Sequence, residues 1–146
     1  MAMDTATILD LLTTRIEALT PRAQSSADDR FRVTLGDPLA SAGKRQTFIT
    51  ADGAIRKPLG GSTCSDWETT LEISVLYPDT MPARGQRGAY SHALQDAEDM
   101  LSDLHTWAST TDKILAIEPS PATVASDGEG RIESVRSIFI QFERAL

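Results

Sequence analysis

The sequence predicts an α+β fold, an antiparallel sheet with helices packed on it, and three observations carry that expectation. The segment DWETTLEISVLY, residues 66–77, alternates strictly: Trp67, Thr69, Leu71, Ile73, Val75 and Tyr77 share one parity, and Asp66, Glu68, Thr70, Glu72 and Ser74 the other. An antiparallel strand with one wet side produces that pattern. Two other segments, ILDLLTTRIEAL (8–19) and HALQDAEDMLSDLHTW (92–107), space their apolar residues at helical intervals. The order is helix, strands, helix, strands, which places the helices beside a sheet rather than alternating with parallel strands.

Taken in order, Ile8, Leu12, Ile16 and Leu19 recur on one helical face with Leu9 and Leu11 flanking. Asp4 or Thr5 is positioned to cap the start, and Pro21 follows the end. RFRVTL then alternates Phe31, Val33 and Leu35 with Arg30, Arg32 and Thr34, as a half-buried strand does. Residues 36–65 are rich in glycine and contain Pro38 and Pro58. So long a connection is functional or mobile more often than idle. Within it, QTFIT followed by ADGA suggests a short strand and a turn, so an extended hairpin arm is expected. After the alternating strand, Pro78, Pro82 and the glycine-flanked RGQRG lead into the second helix. DKILAIEP, PATVAS and RIESVRSIFIQFER follow as strands, with DGEG turning between the last two. Ile138, Ile140 and Phe142 alternate cleanly, but Val135 is out of parity with Ile132, so a bulge near Ser134 is expected.

At 146 residues the chain fits one domain, 1–146, with 36–65 as its arm. A domain of this size hides about 68–70% of its unfolded surface and needs no metal or disulfide staple. Cys64 is the only cysteine, so no internal disulfide can form. The start, MAMDTATILDLL, lacks a basic segment before its short apolar run and does not read as a signal peptide. No run approaches the ~20 apolar residues of a bilayer span. A soluble, cytoplasmic protein is expected. Net charge is −7. Residues 61–146 hold fourteen acidic against six basic side chains, while residues 1–60 are balanced at seven against eight. Such a surface repels polyanions, which excludes tight sequence-independent binding of nucleic acid. The basic pairs Lys44-Arg45 and Arg56-Lys57 fall in the arm, where a local anionic contact competes with plain solvation.

The second helix concentrates titratable groups. At about 100° per residue, Ala93, Ala97, Leu101, Leu104 and Ala108 fall within about 80° and form a narrow core stripe. His92, Asp96, Asp99 and Asp103 form a second stripe about 130° away, and His105 points elsewhere. The two histidines therefore cannot converge from a straight helix. His92 and Asp96 sit one turn apart, but no cysteine cluster or third histidine completes a metal site. Like charges one turn apart cost a few tenths of a kcal/mol per pair. A stripe that tolerates this cost is either a solvated face or one that faces something it must not hold.

Catalytic patterns are lacking. GDPLASAGKRQT misses the phosphate-loop spacing, with six residues between Gly36 and Gly43 and Arg45 rather than Ser or Thr after Lys44. No G-x-S-x-G elbow occurs, and nothing pairs Cys64 with a base. No cofactor, metal or catalytic residue is expected.

The segments ILDLLTTRIEAL, WETTLEISVLY, HALQDAEDMLSDLHTW and SIFIQFERAL, in a small acidic α+β chain with a long arm, resemble the tail terminator (tail-completion) proteins of long-tailed bacteriophages. The likeness is one of architecture and involves no specific motif. It implies a virion protein of the tail or neck, assembled in the host cytoplasm. It would be a ring, typically of six subunits, that caps the tail tube protein and meets the head–tail connector or adaptor, with no cofactor and no membrane. On that resemblance Lys44, Arg45, Arg56 and Lys57 would meet acidic groups of a neighbour. His92, Asp96, Asp99 and Asp103 would line a channel through which DNA passes without specific binding. Replacing the three aspartates by Asn would then leave folding intact and slow DNA passage. A head-closure or adaptor protein, a small ligand-binding α+β module and a metal-dependent hydrolase are the alternatives. They are separated by partner, by a closed apolar pocket, and by metal content.

Overall fold

The computed structural model describes residues 3–22, 30–35, 45–56, 64–77, 85–126 and 131–145, the side chains of 35, 56, 64, 65, 85–87 and 145 excepted. Helix α1 spans Thr5–Glu17. Asp4 caps it: its backbone is extended, at φ −148°, and its carboxylate accepts from the Thr7 N–H at 2.7 Å. That bond satisfies one of the donors a helix start leaves without a partner. Strand β1 (Val33–Leu35) follows, then β2 (Gln46–Ala51), β3 (Ile55–Arg56) and β4 (Cys64–Tyr77). Helix α2 runs over Gly85–Thr110, and β5 (Ile114–Pro119), β6 (Thr123–Ser126) and β7 (Ile132–Ala145) complete the chain.

The strands form one seven-stranded sheet ordered β1-β2-β4-β7-β5, with β3 on the β4 side and β6 on the β7 side. The α+β class is as expected. The sheet is antiparallel except at its end, where β1 runs parallel to β2. Long β4 and β7 pair without a register break from Cys64↔Ala145 to Tyr77↔Ile132 and make the spine of the molecule. On the face toward the helices, Leu71 opposes Ile138, Thr69 opposes Ile140, and Trp67 opposes Phe142. Ile8, Leu12 and Ile16 of α1 and Ala93, Met100, Leu104 and Trp107 of α2 close over them. Each large aliphatic side chain buried there contributes roughly 1.5–3 kcal/mol.

Three expectations are corrected. No bulge occurs near Ser134: Ile132, Ser134, Arg136 and Ile138 keep one parity, so Ser134 and Arg136 are themselves the buried residues and Val135 faces the other side. The irregularity lies in β5 instead, where the register with β7 shifts between Ile114 and Ala116. Second, the described part of 36–65 is no arm. Phe48 and Ile49 of β2 pair with Ser74 and Ile73, and Ile55 of β3 pairs with Glu68, so these residues belong to the sheet. β4 offers a long edge, and chain that alternates as QTFITA does gains more by pairing with it than by standing in water. Residues 36–44 and 57–63 lie outside the described residues. Third, the buried stripe of α2 is rotated by about 60° from the alanine-rich one. It contains Ala89, Ala93, Asp96, Ala97, Met100, Leu104 and Trp107, while Leu101 and Ala108 are half-buried. The rotation brings the acidic stripe toward α1.

Candidate functional site

The acidic residues of α2 meet arginines from the N-terminal part of the chain. Arg15 Nε donates to both oxygens of Asp103, at 3.0 and 2.9 Å. Arg22, just past α1, donates from Nη2 to Asp99 at 2.8 Å and from its backbone N–H to Asp96 at 2.9 Å. Later residues of the N-terminal segment meet earlier residues of α2, so the two run antiparallel. The spacing that costs repulsion on an isolated helix becomes attractive once cations fill it. The bonds from Arg22 hold the Asp99 carboxyl below its ordinary value.

Asp96 is the centre of the site. Its side chain is 2% exposed and pairs with Arg45, whose side chain is 0% exposed, at 3.3 Å. Tyr77 donates its hydroxyl to the same carboxylate at 2.7 Å. Arg45 stacks within 5.4 Å of the ring centres of both Phe31 and Tyr77. Four separate parts of the chain therefore converge on one carboxylate: residue 22, the start of β2, the end of β4, and α2. Burial pushes the Asp96 carboxyl upward, against the opposing pull of the Arg22 N–H, the Tyr77 hydroxyl and the Arg45 charge. Nearby, buried Arg136 donates to the carbonyls of Ala97 and Ser120, both at 3.0 Å, and ties β7 to α2 and to the turn before β6. Burial among neutral partners pushes its guanidinium downward.

A perturbed carboxyl beside a hydroxyl and a guanidinium is also what an acid–base site would offer. Among the described residues, the space beside it is too small for that use. The cavity bounded by Tyr77, Asp96, Met100, Ser134 and Arg136 holds about 10 Å³. That is room for about one water and for no substrate.

The site residues expected from sequence fall as follows. Asp96 is withdrawn from the channel face because it is buried against Arg45 and Tyr77. Asp99 and Asp103 face the arginines of the N-terminal segment, so the stripe presents no bare row of negative charge. His92 is half-buried, and neither ring nitrogen has a hydrogen-bond partner among the described residues. Arg45 is likewise withdrawn from the arm: it is an interior cation, buried against Asp96. Lys44, Lys57 and the Arg56 side chain lie outside the described residues. Among the described residues no group of three or more His, Cys, Asp or Glu is placed to hold a metal ion. Sequence reasoning missed Arg15, Arg22, Tyr77 and Arg136. The one available signal was complementarity, since Arg15 lies on a helix that must pack near another bearing acids at one-turn spacing.

The outer surface carries a different kind of feature. Ile55, Tyr90, Leu94 and Leu115 are large apolar side chains exposed to solvent. No helix among the described residues is long and apolar enough to cross a membrane. Compared with known proteins, the chain matches no protein-family model and no curated protein sequence.

Proposed function

We propose that the protein is a structural subunit: a ring-forming tail terminator of a long-tailed bacteriophage that caps the tail tube and joins it to the head connector. The observation that carries this reading is the shape of the sheet. It ends in two unlike edges among the described strands, β1 and β3 on one side and β5 and β6 on the other. Unlike edges favour head-to-tail contact between copies, and such contacts close into rings when the rotation permits. The interior polar groups support the same reading. Asp96, Arg45 and Arg136 join the segment after α1, helix α2 and the sheet into one body, which suits a part that must hold its shape under assembly. The small cavity at Asp96 gives a ligand-binding module little to enclose. The test is electron microscopy of the purified chain with and without isolated tail tubes. Rings seated on tube ends support the reading; a chain that neither forms rings nor binds tubes overturns it. Binding to connectors alone assigns the protein to head closure instead.

A further inference from the structure

Two polar side chains of β7 point toward the helices. Ser134 and Arg136 are each only 6% exposed. Two residues apart on one strand, they share a face. Both line the cavity of about 10 Å³ that also touches Asp96, where Ile73, Val75 and Met100 supply apolar wall. A sheet position that buries a serine and an arginine side by side, where its neighbours bury isoleucine, needs a chemical reason.

Arginine carries five N–H donors and keeps its charge in proteins. Arg136 spends one donor on the Ser120 carbonyl and one on the Ala97 carbonyl. Among the described residues no carboxylate pairs with it, and the Ser134 hydroxyl makes no hydrogen bond. The acid on the same cavity, Asp96, is already committed. Arg45 pairs with it at 3.3 Å, and the Tyr77 hydroxyl and the Arg22 N–H donate to it at 2.7 and 2.9 Å. The cavity is therefore bordered by a cation and a hydroxyl that both have donors to give. Carbonyl dipoles soften the charge of Arg136 but do not cancel it, and a buried charge is costly until it is cancelled.

We infer that this cavity is a site for one monatomic anion of the chloride class, held by the Arg136 guanidinium and the Ser134 hydroxyl. Water accepts the same hydrogen bonds but brings no charge, whereas a halide supplies both. Size sets the class, because room for about one water excludes sulfate, phosphate and the carboxylate of an organic acid. The apolar wall strengthens the attraction by lowering the local dielectric. The Asp96 carboxylate opposes the ion, and its three donors draw that charge away, so binding is selective rather than tight. Arg136 ties β7 to α2 and to the turn before β6, so an ion that neutralises it stabilises the folded chain. The site is independent of the ring reading.

The experiment compares urea unfolding of the full chain in sodium chloride and in sodium gluconate at equal ionic strength, gluconate being too large to enter. Chloride is expected to raise the midpoint saturably, and at ten times its Kd to lower the unfolding constant about tenfold. Ser134→Ala removes a hydroxyl that bonds nothing, so it keeps the midpoint in gluconate and needs about threefold more chloride for the same gain. Arg136→Met loses the chloride gain altogether; should it fail to fold, the shift in Ser134→Ala decides. Crystals grown in bromide are expected to show an anomalous peak between Arg136 and Ser134. Equal midpoints in chloride and gluconate, a chloride gain that Ser134→Ala keeps at the parent's concentrations, or a bromide map with no peak in the cavity would overturn the site.

Discussion

Replacing Asp96 by Asn keeps the side-chain volume and removes a charge paired with Arg45. The Arg45 side chain is fully buried between two aromatic rings, so water does not reach it when its partner is neutralised. Breaking a buried ion pair from one side costs about 3–5 kcal/mol. The Asn side chain retains one acceptor oxygen, for which the Arg22 N–H and the Tyr77 hydroxyl then compete, so a further loss of about 1 kcal/mol is expected. Domains of this kind are stable by roughly 5–15 kcal/mol, so the variant folds but loses a large share of its margin. With a urea slope of about 2 kcal/mol per M, the midpoint falls by about 2–3 M. Urea unfolding followed by fluorescence of buried Trp107 measures it. The reverse substitution, Arg45→Met, is milder. The Asp96 carboxyl left behind can take up a proton, which burial already favours, whereas arginine keeps its charge in proteins. The loss in Arg45→Met therefore shrinks as pH falls, as the Asp96 left without its cation takes up a proton. The double variant, with neither charge, is more stable than Asp96→Asn alone, giving a coupling of at least about 2 kcal/mol. A midpoint shift below about 0.5 M in Asp96→Asn, or equal losses in the two single variants at every pH, would refute the reasoning.

Other expectations follow from the same contacts. Asp99 is held below the ordinary 3.8 by Arg22, so the unfolded chain binds that proton more readily than the native one. Its contribution is complete above 3.8 and is lost as pH falls through the depressed native value, so Asp99→Asn flattens the decline in urea midpoint below about pH 4. Leu104→Ala removes a fully buried side chain under the centre of α2 and costs about 2–5 kcal/mol by chemical denaturation. Lys113→Gly relieves the left-handed backbone before β5 and raises stability by up to about 1 kcal/mol, provided the melting curve stays cooperative.

Much of the scaffold was legible because it repeats locally. The alternation in β4 and the three-to-four spacing in α1 each identify the buried face within a few residues, and Asp4 and Pro21 mark where α1 begins and ends. The site was not legible, because its partners are distant in the chain. Arg45 and Asp96 are fifty-one residues apart, and Arg15 and Asp103 eighty-eight. A basic residue in a glycine-rich segment and an acid on a helix face both look solvated until the chain folds them together. Ser134 and Arg136 misled in the same way. Hydrophilic residues at inward positions mimic a bulge, because periodicity cannot show that Arg136 finds two carbonyls waiting. The true bulge at Leu115 sits in an apolar run, ILAI, where parity carries no contrast.

The central claim is that this chain works by fitting its edges against other copies of itself. The mass of the isolated protein in solution, followed by light scattering across a wide concentration range, tests that most directly. The account predicts one discrete species at a fixed multiple of the 15.8 kDa chain, seen as a closed ring by electron microscopy. A single species of 15.8 kDa at every concentration would contradict it.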